Sequence, residues 1–318
     1  MTMEPSRVTV YEVGPRDGLQ NESARLPVEA KVKLVEALAA TGLSRIEVGP
    51  FVRADWIPQL ADTEEVARRT LRLPGVGLSA LVPNRHGLER AIACGMREVA
   101  VFMSSSEAHN QKNTNKPIAS SLELFGEIVP EALRNGMTVR AYLSTVWGCP
   151  YEGAVDPMRS FQLARELRDM GCREISLGDT IGVGNPLQTR RLLELFLGGK
   201  GSLKPLAREE IALHLHDTNG TALANALVGL EMGITTFDTA IGGLGGCPYA
   251  PGAAGNLATE DLAGMLSDMG IETGIDLEKL VDAGLLAQQL IGRKLPGRRL
   301  QAALGRRVGG EARQAAST

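Results

Sequence analysis

The segment "HLHDTNG" at residues 214–220 sets two imidazoles two positions apart. On a strand, alternate side chains share a face. His214 and His216 would then point the same way roughly 7 Å apart, from a rise of ~3.4 Å per residue, while Leu213 and Leu215 face the opposite layer. The chain has only four histidines, and two of them sit here beside Asp217. Such a pair at the end of a strand suits a metal ion or a substrate oxygen. The competing reading is two hydrogen-bonded core histidines.

"VGPRDGLQNE" at 13–22 raises a similar question. Pro15 pre-sets φ and Gly18 closes a bend, so the stretch reads as a tight turn after a strand. Arg16 and Asp17 side by side could equally grip an anionic substrate and a metal. Asp17 would supply a hard carboxylate, and Asn256 in "GAAGNLATED" an amide oxygen, although Asn256 alone reads as a helix N-cap. Asp17, His214, His216 and Asn256, with room for water and substrate, suit Mg²⁺ or Mn²⁺ better than a closed zinc site. Glu47, ending the apolar run "RIEVG", must face the same opening or find a partner such as Arg16. Cys247 lies within the glycine-rich "GGLGGCPYAPGAAGN" (242–256). Such a loop can bend over a site, or it can be a flexible connection with an incidental thiol. Cys94, Cys149 and Cys172 read as structural.

What must position these groups is a series of eight short, apolar, β-branched runs, at 7–14, 45–49, 76–82, 97–103, 137–144, 173–179, 211–217 and 235–243. A helical candidate follows each, which predicts an α/β fold of the (β/α)₈ TIM-barrel kind. Strands one, seven and eight are neighbours in a closed barrel, so Asp17, the two histidines and Asn256 would meet at one mouth. The helix candidate at 27–42 puts Val32, Val35, Leu38 and Ala39 on one face, with Gly42 past its end. The one at 155–171 has Asp156 as N-cap, Pro157 at the first helical position and Gly171 as its stop. An open doubly wound sheet would want G-x-G-x-x-G after the first strand, and "GPRDGLQ" lacks it. The expected organisation is one barrel domain over 1–304 that includes an extra C-terminal helix, "DLEKLVDAGLLAQQLIGRKL". A polar, frayed tail is expected at 305–318.

A hydrophobic fraction of 43% and a charged fraction of 22% suit a globular protein with a full core. A net charge of −3 supports neither a nucleic-acid partner nor an anionic membrane. No apolar run reaches the length of a membrane span. The amino terminus leaves no room for a signal or transit peptide before the first strand, and the cysteines are unpaired in spacing. A reducing cytoplasm is therefore the expected setting.

"VGPRDGLQNE", "LHLHDT", "ISLGDTIGVG", "GCPYEG" and above all "GGLGGCPYAPGAAGNLATED" resemble the 3-hydroxy-3-methylglutaryl-CoA lyase family, within the metal-dependent aldolase-like barrels. The resemblance runs from about residue 7 to beyond 290, and the last motif separates the lyases from the related Claisen-condensing synthases. It implies cleavage of a 3-hydroxyacyl-CoA into acetyl-CoA and a keto acid, acetoacetate for the name substrate, as in leucine breakdown. It also implies an acyl-CoA substrate as the partner and a homodimer or higher homo-oligomer. Carried over residue by residue, Asp17, His214, His216 and Asn256 correspond to metal ligands, Arg16 to the catalytic arginine, Glu47 to a carboxylate behind the ligands and Cys247 to the catalytic thiol. Asn113, Tyr142, Asp179 and Glu260 fall at active-site or supporting positions.

The chemistry fits that cast. The 3-hydroxyl must lose its proton as C2–C3 breaks, with His214 or a neighbouring carboxylate as acceptor. Charge then moves onto the thioester, beside Arg16. The chain departs from the family pattern at Ser23, Gly49-Pro50, Arg53-Ala54-Asp55, Ala108-His109 and Lys116. These positions bear on the acyl and CoA contacts, so a lyase for a bulkier 3-hydroxyglutaryl-type CoA is the nearest rival. A metal-dependent amidohydrolase barrel also uses H-x-H, but on its first strand and with further histidines. A non-catalytic barrel would not need Arg, Asp, Cys and H-x-H on one face.

Overall fold

The computed structural model describes residues 5–246 and 255–315. Eight parallel strands close into a barrel in chain order: β1 (Thr9–Glu12), β2 (Arg45–Pro50), β3 (Gly77–Leu81), β4 (Glu98–Ser104), β5 (Thr138–Ser144), β6 (Glu174–Asp179), β7 (Ile211–Leu215) and β8 (Thr236–Thr239). Closure is the pairing of β1 with β8, in a register that sets Tyr11 beside Asp238 and Glu12 beside Thr239. The strands are shorter than their apolar runs. β1 stops at Glu12 and β8 at Thr239, because the residues beyond turn into the loops that form the mouth.

The helices follow the sequence closely. Val28–Ala39 buries Val32, Leu34, Val35 and Leu38 against the barrel. In Pro157–Asp169 the Asp156 carboxylate accepts the Met158 N–H at 2.9 Å, satisfying one of the donors a helix start leaves open. Beyond β8 come Thr259–Asp268, Leu277–Ile291 and a further helix, Arg298–Ala315. This last helix runs through most of the stretch expected to fray, and it buries Leu300 and Ala303.

Outward-facing strand residues such as Ile175, Leu177, Leu213 and Leu215 form an apolar layer beneath the helices. Inside, where barrels of this class stack branched aliphatics, this one carries a charged and aromatic filling. Arg45 lies over the Tyr11 ring at 4.4 Å, and Arg140 lies between Tyr11 (4.2 Å) and Tyr142 (4.8 Å). Arg16 also lies over the Tyr142 ring, at 5.0 Å. Carboxylates pair with these cations: Arg45 with Glu98 and Glu174, Arg140 with Glu174 and Asp238, Arg16 with Glu47 and Asp17. Burial of so many charges is tolerable because each guanidinium meets a carboxylate and an aromatic face.

Candidate active site

"GPRDG" forms a single π-helical turn, Gly14–Gly18. The Val13 carbonyl accepts N–H groups from Arg16 (3.1 Å), Asp17 (2.7 Å) and Gly18 (3.3 Å). Such turns concentrate at functional sites because they push side chains out of the regular spiral. Beneath it, Glu12 Oε1 accepts from Gly14 N at 2.8 Å and Ile241 N at 2.9 Å, clipping the turn to the loop after β8. Burial pushes the Glu12 carboxyl up to about 7.

The turn delivers both side chains to the mouth. Arg16 Nε donates to Glu47 Oε2 at 2.5 Å, and its Nη1 to Asp17 Oδ1 at 2.6 Å. Tyr142 OH donates to the same Glu47 oxygen at 3.1 Å. Glu47 is wholly buried within β2, and burial raises its carboxyl above the usual range while Arg16 opposes that. Asp17 is also desolvated, but Arg16 and the two histidines outweigh burial and hold it down to about 2.

His214 and His216 converge with their Nε2 atoms 3.2 Å apart. Asp17, His214 and His216 each offer a ligand atom, all within 4.8 Å of one another. Burial, with His214 beside it, lowers His216 to about 4, so its ring is neutral and a lone pair is available. Asn256 is not an N-cap, because its helix starts later, at Thr259. Its Nδ2 donates to Asp17 Oδ2 at 2.8 Å and to the Leu244 carbonyl at 3.0 Å, leaving Oδ1 buried with no partner. The approach is close: a Cβ on Gly245, which has φ +109°, would lie 2.6 Å from that amide nitrogen. One carboxylate, one orphaned amide oxygen and two imidazoles form a hard, mixed N/O donor set that fits a divalent cation.

Arg16, Asp17, His214 and His216 line a cavity of about 550 Å³ at the C-terminal end of the strands. Asn113, Tyr142 and Lys112 share its wall with Val52, Ile57, Leu81 and Phe102. Asp179 and Glu260 have other tasks. Asp179 accepts the N–H groups of Val183 (3.0 Å) and Gly184 (2.9 Å), shaping the loop after β6, and burial pushes it up to about 6. Glu260 accepts the Gly242 N–H with both oxygens, and burial pushes it up to about 8. Cys247 lies outside the described residues, and Gly246 before it lines the cavity.

Sequence reasoning missed Asp238. On β8, directly beside His214 in register, it contacts His214 Nδ1 at 3.1 Å. The signal was present: an acid inside the strand run "TTFDTA" that no turn explains. The H-x-H sits at the end of β7, with His216 just past it, rather than on β1, and among the described residues neither His86 nor His109 joins the donor cluster, against an amidohydrolase arrangement.

A family model described as HMGL-like matches residues 7–286. The chain is 49% identical over 297 residues to a hydroxymethylglutaryl-CoA lyase of Bacillus subtilis, covering 93% of this chain and 97% of that protein. It is 47% identical over 302 residues to a 3-hydroxy-3-isohexenylglutaryl-CoA/hydroxymethylglutaryl-CoA lyase of Pseudomonas aeruginosa, covering 95% and 99%. Among solved structures, an HMG-CoA lyase of Acinetobacter baumannii in complex with coenzyme A and 3-methylmalate superposes with a TM-score of 0.88 at 37% identity, covering 95% of this chain and 97% of that one.

Proposed function

The chain belongs to the HMGL-like family, and we propose that it works there as a carbon–carbon lyase, cleaving 3-hydroxy-3-methylglutaryl-CoA to acetyl-CoA and acetoacetate. One observation carries the reading. A carboxylate and two imidazoles converge at the mouth beside a buried arginine, with the Asn256 amide bonded to that carboxylate, in a chain nearly half identical to such lyases.

In this reading Asp17, His214, His216 and Asn256 hold a divalent cation, Mg²⁺ or Mn²⁺, which would supply Lewis-acid polarisation of the 3-hydroxyl and so ease loss of its proton. Arg16 is held from two sides, by Glu47 and by Asp17, so its guanidinium is preorganised for negative charge arriving on the thioester oxygen as C2–C3 breaks. Glu47 keeps that arginine from turning away, and Tyr142 supports both. Asn113 lines the same cavity and is assigned to holding the acyl-CoA. Cys247 is the group assigned to protonating the acetyl-CoA carbanion. Asp179 and Glu260 shape the loops around the mouth.

No helix of the described chain is long and apolar enough to cross a membrane, and a cytoplasmic setting would supply the CoA thioester and keep the thiols reduced. The reading fits a step in leucine breakdown. The test is incubation of chelator-stripped protein with hydroxymethylglutaryl-CoA, with and without Mg²⁺ or Mn²⁺, and mass spectrometry of the products. Metal-dependent appearance of acetyl-CoA and acetoacetate in equal amounts supports it. Absence of both with either ion rejects it.

A further inference from the structure

Arg140 sits in the middle of the barrel, 1% exposed, and touches no part of the mouth cavity directly. Its Nη2 lies 2.5 Å from Asp238 Oδ1 and its Nε 2.6 Å from Glu174 Oε1. Its planar head fills the space between Tyr11 and Tyr142. Asp238 spends its other oxygen on Ser176 Oγ at 2.7 Å and on His214 Nδ1 at 3.1 Å. Tyr142 in turn lies beneath Arg16, donates to Glu47 and meets the His214 ring edge-on, with centroids 5.9 Å apart. One buried guanidinium therefore supports both halves of the site.

We propose that Arg140 and Asp238 are positioning residues: Asp238 fixes the tautomer of His214, and Arg140 anchors Asp238 while bracing the tyrosine on which Arg16 rests. The hydrogen-bond inventory leads there. An ionised Asp238 can only accept, so His214 Nδ1 must carry its proton and Nε2 must present a lone pair. The Nε2 atom of His216 lies 3.2 Å from that nitrogen. Arg140 can only donate, so the oxygen facing it must remain an acceptor in any variant. In Asp238→Asn the amide oxygen is thus committed to Arg140, and the amide NH₂ is left facing His214. The imidazole proton is forced onto Nε2, where it blocks the lone pair that a cation needs.

The inference rests on the metal reading of Asp17, His214 and His216, and one arm of its test does not. In the metal-free protein, long-range ¹H–¹⁵N correlation of the histidine rings should show His214 as the Nδ1–H tautomer in the native chain and as Nε2–H in Asp238→Asn. The same variant should bind Mn²⁺ about 10–100-fold more weakly by electron paramagnetic resonance, the usual range for losing a ligand's supporting partner. Its melting temperature should change little, because Arg140 keeps an acceptor. Arg140→Lys retains a cation for Asp238 but cannot fill the planar gap under Tyr142. It should hold Mn²⁺ within a few-fold of the native affinity while kcat falls about tenfold or more, as displaced reacting groups cause. An Nε2–H tautomer in the native protein, or an unchanged tautomer in Asp238→Asn, overturns the Asp238 role whatever the metal does. Native kcat in Arg140→Lys, or a loss of kcat matched by an equal loss of Mn²⁺ affinity, overturns the bracing role. A variant tautomer that switches while Mn²⁺ fails to bind even the native chain would instead reject the metal reading alone.

Discussion

The Asn256 side chain donates to the Asp17 carboxylate at 2.8 Å, although 239 residues separate them. That bond turns the amide so that its oxygen, buried and without a partner, is the atom left over. An orphaned buried acceptor costs about 1–3 kcal/mol, a cost a bound cation removes. Asn256→Ala should accordingly weaken Mn²⁺ binding, by roughly tenfold or more, while lowering the melting temperature of the metal-free protein only slightly, because the orphaned oxygen is removed along with the two hydrogen bonds of Nδ2. Isothermal titration with Mn²⁺ and a metal-free thermal melt check the two halves. Unchanged affinity would remove Asn256 from the ligand set.

His216→Ala tests the other side of the cluster. The ring is neutral well below physiological pH, because burial lowers it to about 4. Its loss should reduce Mn²⁺ affinity by several orders of magnitude, and the fold should survive because the residue lies just past the end of β7. Circular dichroism and Mn²⁺ titration of one sample decide it. A near-native titration would return the two imidazoles to the reading of paired core histidines.

The alternation of strand and helix was legible because outward-facing residues such as Leu213 and Ile175 write the apolar runs. The H-x-H and its neighbours were legible for the same reason: a period of two puts them on the face those leucines do not use. The inner filling was not. Arg140, Glu174 and Asp238 look like interruptions of apolar runs until closure sets them against one another, and their partners lie 34 to 98 residues away. The π-turn was also hidden, since Pro, Arg, Asp and Gly suit an ordinary β-turn equally well. So was the helix Arg298–Ala315, whose arginines outnumber the few apolar residues that seat it.

Glu260 predicts a pH dependence of stability. Burial raises its carboxyl to about 8 from an ordinary 4.5. Between those values the folded chain holds a proton there that the unfolded chain has released, so stability falls as pH rises through the window and levels off above it. Glu260→Gln keeps an acceptor for the Gly242 N–H but carries no charge. Relative to the native chain its melting temperature should be about equal near pH 5 and higher near pH 8.5. A gap that does not widen with pH would mean that Glu260 is ionised in the fold.

Cys247→Ala should keep Mn²⁺ affinity and lose most turnover, with modest change in KM, if the thiol returns the proton to the acetyl-CoA carbanion. The native enzyme should also gain activity on reduction after mild oxidation, and the variant should not. Near-normal kcat in Cys247→Ala would make the thiol incidental to its glycine-rich surroundings.

Arg16 gives the sharpest separation between a turn and a site. From the sequence, a rim arginine could be lost with little change in melting temperature. The structure requires otherwise, because Arg16 is 6% exposed and holds two carboxylates, Glu47 and Asp17. Arg16→Gln leaves Glu47 buried without its cation, which should lower stability by about 3–5 kcal/mol, the typical result of breaking one side of a buried pair. It should also depress kcat by ~10²–10³, the usual loss for one preorganised donor. Arg16→Lys separates the effects. An ammonium can neutralise Glu47 and recover most of the melting temperature, but it cannot bond Glu47 and Asp17 in the guanidinium's fixed fork while facing the substrate. Its kcat should stay well below native. The deciding comparison is kcat for both variants at saturating metal and substrate, below their melting temperatures. If Arg16→Lys recovers rate as fully as stability, the arginine serves the fold through Glu47 alone and the π-turn has no part in the chemistry.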